Sequence, residues 1–195
     1  IWMPQLFARM PLGIPMAILI ARSRRKKMAG VLDVLVNIPF IVPTAALGFS
    51  LGLFWTTQQY MPVTADVALI IMAHVAFTYP FVVRNVVGAL EGLDTTYEET
   101  ARTLGAKPIQ VFKRVMFPMV KASVLAGAIM TFTRSLGETG ATLAVSPKAI
   151  TAPVYIVELI RTGSYYQAGL ASILLILVSF VIVLIMRRMT TKGGA

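Results

Sequence analysis

The sequence has no cysteine and a single histidine, His74, and both scarcities limit its chemistry. Without cysteine, these 195 residues supply no disulfide, no thiolate metal ligand and no thiol nucleophile. His74 lies within an apolar run, with no second histidine and no close pair of carboxylates to form a metal site or an acid–base pair. We therefore expect His74 to form hydrogen bonds between helices. No GxxxxGK[ST] sequence occurs, so the chain lacks the loop that cradles ATP phosphates.

Charged residues are also scarce, and acidic residues are the scarcer of the two kinds. Only 13% of the residues are charged, 8 acidic against 18 basic, whereas 57% are hydrophobic and the mean hydropathy is +0.78. Soluble domains are usually less than about half apolar, so the composition predicts an integral membrane protein. The net charge of +10 does not indicate a nucleic-acid partner, because the basic residues lie between apolar runs and not in an aromatic-interleaved patch. We expect one membrane domain over residues 1–195.

Long apolar segments are what the sequence does have, and five of them are candidate membrane spans. They cover approximately residues 6–21, 31–55, 67–90, 119–136 and 169–186. Most basic residues follow the first segment, surround the polar stretch between the third and fourth segments, or follow the last one. The positive-inside rule therefore predicts a cytoplasmic polar stretch and C-terminus, with Ile1 outside. No signal peptide is recognised at Ile1, and we expect a further native helix before it.

Small residues and prolines within the apolar segments predict a packed and bent bundle. Gly48 and Gly52 have the GxxxG spacing that lets helices approach closely. Pro39 and Pro43 lie in the second segment and Pro80 lies in the third. Proline in a membrane helix frees a carbonyl group and bends the helix, so we expect bends at these positions.

The polar stretch of residues 94–118 has the local signals of two short helices. Thr95 and Glu98 have the spacing of a capping box, and Gly105 is a natural helix stop. Pro108 suits the first turn of a second helix. In this helix apolar residues recur at spacings of three and four, so they would form an apolar knob that contacts a partner surface. These residues are Ile109, Phe112, Val115 and Met116. The alternative is an amphipathic pair of helices that lies on lipid headgroups.

The same stretch carries a spaced series of residues: Glu99, Thr100, Ala101, Gly105, Val115, Phe117 and Pro118. This series resembles the EAA loop, the cytoplasmic coupling loop of ABC-importer permeases. Three positions depart mildly from the family pattern. Thr100 stands where the pattern favours alanine, and Val115 and Phe117 stand where isoleucine and leucine are usual. The family's loop docks in a groove of the nucleotide-binding subunit. The resemblance therefore implies coupling roles for Glu98, Glu99, Thr100, Ala101, Leu104, Gly105, Ile109, Phe112 and Pro118.

A second polar string, from Arg134 to Leu143, follows the fourth apolar segment. Its Gly-Glu-Thr-Gly-Ala-Thr sequence resembles the segment typical of molybdate, tungstate and sulfate permeases in the same superfamily. Arg134 and Glu138 are four residues apart, so we expect them to pair on one helix face. The alternative is that Arg134 is a transient cationic station for an oxyanion. The candidate residues of the translocation path are Arg134, Ser135, Glu138, Thr139 and Thr142.

The two resemblances imply a fold and a set of partners. The fold is an all-α integral membrane protein, a helical bundle similar to that of type I ABC importers, with cytoplasmic coupling helices. The partners are a second copy of the chain, two ATPase subunits, an extracytoplasmic substrate-binding protein and membrane lipid, in the plasma membrane of a bacterium or archaeon. The chain itself would be a non-catalytic permease without a cofactor.

The cargo that the resemblance implies is molybdate or tungstate, with sulfate, ferric ion or thiamine as alternatives. A self-contained ion-coupled secondary transporter or channel is the rival from another class. It would need intramembrane carboxylates or an inverted repeat. The acidic residues lie mostly at segment ends or in loops, and no repeat is evident, which disfavours this rival.

Overall fold

The computed structural model describes residues 13–57, 66–146 and 151–192, and every regular element in these ranges is helical. The first part of the first predicted span, residues 6–12, lies outside the described residues. The elements are α1 (Gly13–Arg22), α2 (Lys26–Ile41), α3 (Thr44–Thr57), α4 (Asp66–Glu91), α5 (Thr96–Thr103), α6 (Pro108–Val111), a π turn (Phe112–Met116), α7 (Phe117–Leu136), α8 (Gly140–Val145), α9 (Ala152–Arg161) and α10 (Tyr165–Lys192).

Three helical runs in the described part of the chain are long and apolar enough to cross a membrane. They are Val67–Glu91, Pro108–Leu136 and Tyr165–Arg188. These runs correspond to the third, fourth and fifth apolar segments of the sequence. The last run contacts α7 and α9, but no residue of its most apolar part is fully buried within the chain. Most of its apolar surface is therefore left to lipid or to another protein.

The second apolar segment is not the single helix that the sequence predicts. It is divided into α2 and α3, which meet at an angle of 103°. Val42 between them is extended, with φ −81° and ψ 130°. The ring of Pro43 disfavours a helical conformation at the preceding residue, which explains why the break falls here. Pro39 and Pro80, by contrast, lie inside continuous helices.

The core is built around α4, which contacts α2, α3, α7 and α8. Near its C-terminal end, a row of buried valines from Val82 to Val87 packs with Ile14 and Ala17 of α1 and Val120 of α7. Toward its N-terminal end, a second cluster joins α4 to α8; its members are Leu69, Ile70, Ala73, Phe77, Ala141 and Val145. This central position makes α4 the common wall of both halves of the bundle.

Two glycines permit the closest helix contacts. A Cβ atom on Gly48 would lie 2.6 Å from the backbone oxygen of Ala141, so α3 and α8 touch backbone to backbone. A Cβ atom on Gly127 of α7 would lie 3.0 Å from the Cα of Val82. These contacts confirm the expectation that small residues let helices approach closely in this chain.

Candidate functional site

The loop between α4 and α7 begins with an aspartate turn and not with the predicted capping box. Thr95 makes no side-chain capping hydrogen bond. The Asp94 Oδ1 atom instead accepts hydrogen bonds from the Thr96 hydroxyl at 2.7 Å and the Thr96 amide at 2.9 Å. These hydrogen bonds, the hydroxyl one first, hold the pKa of Asp94 below its ordinary value. The capping box prediction is wrong because the Glu98 side chain has a stronger partner elsewhere.

That partner is Arg22, at the end of α1. The Arg22 Nε atom donates to Glu98 Oε1 at 2.7 Å, and its Nη2 atom donates to the Leu93 carbonyl at 3.2 Å. Arg102 lies on the other side, with Nη2 3.9 Å from Glu98 Oε2. Glu98 is only 7% exposed, so it faces its own bundle and not a partner surface. Sequence reasoning missed Arg22, whose only signal was its place directly after an apolar segment.

Gly105 ends α5 as the sequence predicts. Its φ of +83° lies in the left-handed region that favours glycine. The Gly105 amide donates to the Arg102 carbonyl at 2.9 Å and the Ala106 amide donates to the Ala101 carbonyl at 3.0 Å, the two hydrogen bonds of a Schellman motif. Ala101 and Ala106 both pack against the core. Ala101 therefore helps to seat α5 on the bundle.

The second half of the loop is continuous with the following span. Residues Pro108–Leu136 form one helical run, in which the π turn lies directly before α7. In a regular α-helix, the ring of Pro118 would collide with the carbonyl of Arg114, and the wider turn accommodates it. A second helix begins at Pro108 as the sequence predicts, but it is not short, because it continues into the fourth span.

The exposed side of this loop is partly apolar. Leu104 is 84% exposed, and Tyr97 and Ile109 are each 57% exposed. Phe112 is half-buried and Met116 is buried, so the apolar side chains of the second helix divide between the core and the outside. The other predicted coupling residues that lie on the surface are Glu99, Thr100, Gly105 and Pro118. We call Tyr97, Leu104 and Ile109 the apolar tip of the loop.

A cavity of about 330 Å³ lies at the break between α2 and α3. Its lining residues are Pro39, Phe40, Ile41, Val42, Pro43, Thr44, Phe77, Phe81 and Arg134. The Arg134 guanidinium lies over the Phe77 ring, 5.3 Å from its centroid, a cation–π contact. Among the described residues that line the cavity, Arg134 is the one with a charged side chain.

The expected pairing of Arg134 with Glu138 is confirmed, with Nη1 and Oε2 2.7 Å apart. The two residues do not share one helix face, however, because α7 ends at Leu136 and Glu138 follows in the turn. The Glu138 carboxylate is buried and also accepts hydrogen bonds from the Ala141 amide, at 3.0 Å, and from the Thr44 hydroxyl. It thus holds Arg134 at the junction of α3, α7 and α8.

The remaining residues of the second polar string are engaged inside the bundle. His74 Nδ1 lies 2.6 Å from the Ser135 hydroxyl, and Nε2 lies 2.9 Å from the Thr142 hydroxyl. All three side chains are buried, which confirms that His74 is hydrogen-bonded between helices. Ser135 and Thr142 are not among the described residues that line the cavity. Thr139 is half-buried at the start of α8.

Comparisons with known proteins agree with this architecture. Residues 13–192 match the family of binding-protein-dependent transport system inner membrane components. The sulfate transport system permease protein CysT of Salmonella typhimurium is 36% identical over 143 residues, which are 69% of this chain and 51% of that protein. The molybdenum transport system permease protein ModB of Mycobacterium bovis is 31% identical over 185 residues, 89% of this chain and 70% of that protein. The chain thus spans about half the length of the sulfate permease.

Solved structures share the fold at low sequence identity. A chain of the MetNI methionine ABC transporter, in inward-facing conformations, has a TM-score of 0.83 and 20% identity, and the match covers 99% of this chain and 91% of that one. A chain of a bacterial alginate ABC transporter has a TM-score of 0.72 and 17% identity, with 97% and 76% covered. The predicted fold, an all-helical bundle similar to that of type I ABC importers, is confirmed. The chain belongs to the binding-protein-dependent transport system inner membrane components, which are the membrane permeases, and not the ATPases, of ABC importers.

Proposed function

We propose that this chain is the permease subunit of an importer for a tetrahedral oxyanion, molybdate or tungstate in the first place and sulfate in the second. It works as a homodimer in the plasma membrane of a bacterium or archaeon, with two ATPase subunits and an extracytoplasmic binding protein. Residues 1–195 form one permease domain and residues 94–118 are its coupling loop. The names of the sulfate and molybdenum relatives support this class of cargo.

One observation carries the mechanism: the second half of the coupling loop and Arg134 lie on a single helical run, Pro108–Leu136. Pro108 and Arg134 are 26 positions apart, about 39 Å at roughly 1.5 Å per residue. The apolar tip offers Leu104 and Ile109 to an ATPase groove, while the Arg22–Glu98 pair fastens α5 to α1. When the docked loop moves, the continuous helix carries this movement along α7 to the wall of the cavity. ATP binds only the ATPase, so it changes the translocation path through the movement of that docked partner.

The cavity supplies weak affinity for an anion. A guanidinium group matches the geometry of a tetrahedral oxyanion, because it can donate two parallel hydrogen bonds. The Arg134 side chain is 42% exposed, so it can be reached from the cavity, and Glu138 partly neutralises it. A conducting site must bind strongly enough to admit the ion and weakly enough to release it, and a neutralised arginine meets both needs.

The experiment is uptake of labelled molybdate and sulfate by proteoliposomes that hold the permease, its ATPase and its binding protein. Leu104→Asp should abolish ATP-dependent uptake and co-purification of the ATPase while membrane insertion is retained, and Leu104→Met is the matched control. Arg134→Gln should reduce uptake about tenfold, as for the loss of one charge-assisted hydrogen bond, and Arg134→Lys should retain most of it. Absence of a co-purifying ATPase, or uptake of ferric ion or thiamine in place of the oxyanions, would contradict the proposal.

A further inference from the structure

A second arginine–carboxylate pair joins two of the helices that form the cavity. Arg84 of α4 donates from Nη1 to Oδ1 of Asp33 of α2, and the two atoms are 2.5 Å apart. The side chains are 48% and 35% exposed, respectively. The pair is therefore a surface feature of the chain, and it is separate from the coupling loop and from the Arg134–Glu138 pair.

The position of this pair along the helices is unusual for charged groups. Asp33 is seven residues beyond Lys26, where α2 begins, and Arg84 is seven residues before Glu91, where α4 ends, which places both about 10 Å from the predicted cytoplasmic ends. Charged side chains inside apolar spans are costly in lipid, and they usually face a water-filled space or another polar group. We therefore expect the exposed side of the Arg84–Asp33 pair to face water and not lipid.

The cavity and this pair share the same helix faces. Phe81 of α4 lines the cavity, and Arg84 follows it by three residues, about one turn nearer the cytoplasm. Phe40 of α2 also lines the cavity and contacts the Phe81 ring edge-on, with centroids 5.0 Å apart. One turn from Phe40, on the cytoplasmic side, Asn37 donates to the Asp33 carbonyl at 2.7 Å.

The third helix of this surface is α7. The Asn85 amide, next to Arg84, contacts the Met130 sulfur at 3.3 Å, and Met130 is one turn before Arg134. A strip of surface on α2, α4 and α7 thus runs from the outer arginine, Arg134, to the inner one, Arg84. Each arginine is about half exposed and each has one carboxylate partner.

We propose that Arg84, held by Asp33, is an inner binding station for the transported oxyanion, one step beyond the Arg134 cavity on the same path. The inference rests on the proposed function. The ligand of Arg84 is the same tetrahedral oxyanion. The anion leaves the Arg134 cavity, passes the contact between Phe40 and Phe81, and then binds Arg84. At both stations one carboxylate partly neutralises the arginine, so neither station binds the anion much more strongly than the other. Conduction through successive sites requires such weak and similar binding.

Three variants in the complete importer separate an anion station from a merely structural ion pair. Arg84→Gln should lower the maximal uptake rate of molybdate or sulfate about tenfold. It should leave KM unchanged, because the external binding protein sets it. Asp33→Asn keeps the Arg84 cation and should retain uptake. Because Arg84 is then no longer neutralised, molybdate or sulfate on the cytoplasmic side of the membrane should inhibit uptake more strongly. The double variant combines both changes and should be as slow as Arg84→Gln.

A structural pair makes the opposite prediction for the double variant. Glutamine and asparagine are neutral and can hydrogen-bond to each other, so recovery of uptake in Arg84→Gln/Asp33→Asn would overturn the proposal. Normal uptake by Arg84→Gln alone would also overturn it. Arg84→Lys is the conservative variant and should recover most of the rate lost in Arg84→Gln.

Thiol labelling tests the wet surface independently of transport. The sequence contains no cysteine, so single cysteines can be placed at Asn85 and, as a control at equal depth on α10, at Val181. Val181 is 52% exposed and lies six residues before Arg187, as Asn85 lies six before Glu91. An anionic methanethiosulfonate should modify Asn85→Cys and spare Val181→Cys, and molybdate or sulfate should slow the modification. Failure to modify Asn85→Cys would overturn the inner station.

Failure of the inner station and failure of the proposed function give different results. If the unmodified importer takes up neither oxyanion in an ATP-dependent manner, the proposed function is wrong. If the unmodified importer transports an oxyanion and Arg84→Gln transports it equally well, only the inner station is wrong.

Discussion

Replacing Arg22 by methionine tests how α5, which we propose to be a coupling helix, is held to the bundle. Arg22 and Glu98 are separated by 76 residues in the sequence, and their ion pair is mostly enclosed, with side chains 17% and 9% exposed. Methionine keeps the apolar stem of the side chain and removes the charge. The change leaves the Glu98 carboxylate with Arg102, 3.9 Å away, as its remaining cation.

The size of the effect follows from this geometry. Breaking a fully buried ion pair by removing one partner costs about 3–5 kcal/mol, because the other charge stays buried without compensation. Partial exposure of Arg22 and the nearby Arg102 reduce this to about 2 kcal/mol for the docking of α5. That loss raises the undocked population of α5 about 30-fold, since one to two kcal/mol is a factor of roughly 5–30 in an equilibrium.

Hydrogen exchange measures this population directly. In the complete importer, amides of α5 in Arg22→Met should exchange about 30-fold faster, while those of α10 should not change. The double variant Arg22→Met/Glu98→Met removes both charges and should recover most of the protection, because an apolar pair of similar volume often substitutes for a buried ion pair. Unchanged exchange of α5 in the single variant, or no recovery in the double one, would refute the reasoning.

Three further substitutions test the local geometry. Gly105→Ala should destabilise the end of α5 by about 1–2 kcal/mol, because φ is +83° there, and normal exchange of the α5 amides would contradict this. Gly48→Ala should lower the thermal stability by about 1–3 kcal/mol through its contact at 2.6 Å, whereas Gly30→Ala, with open space around it, should not, and equal melting temperatures would contradict this. His74→Leu removes a hydrogen-bond partner from the buried Ser135 and Thr142 hydroxyls, although Thr142 keeps the Glu138 carbonyl at 3.4 Å. The substitution should cost about 1–3 kcal/mol and His74→Gln should cost less; an unchanged melting temperature would contradict this.

Several features of the fold and of the candidate site could be predicted because they depend on local properties. The long apolar runs predict three of the spans, since length and hydropathy alone decide whether a helix can cross a membrane. Gly105 predicts the end of α5, because only glycine adopts the left-handed conformation at little cost. The break at Pro43 escaped prediction as a division of the span, because proline also occurs inside continuous helices, as Pro39 and Pro80 show here.

The candidate site was less predictable, because polar side chains choose among partners that only the fold brings near. Glu98 had the spacing of a capping residue, and Arg22 was better placed to pair with it. Ser135 lay in a motif that suggested a path, but its hydroxyl is buried and hydrogen-bonded to His74, 61 residues away. Spacing in the sequence specifies which residues share a helix face, and it does not specify what lies opposite that face.

The sequence by itself determined that the bilayer is the solvent of this chain and where the main apolar helices lie. It also predicts which polar stretch is the coupling loop. These features depend on hydropathy and on backbone conformational preference, both of which are properties of residues close together in the sequence. The tertiary structure alone decided that Arg134 reaches a cavity while its neighbour Ser135 does not, and that Arg84 meets Asp33 on the same surface. Those outcomes depend on contacts between distant segments, whose geometry is set when α4 packs against α1, α2, α3, α7 and α8.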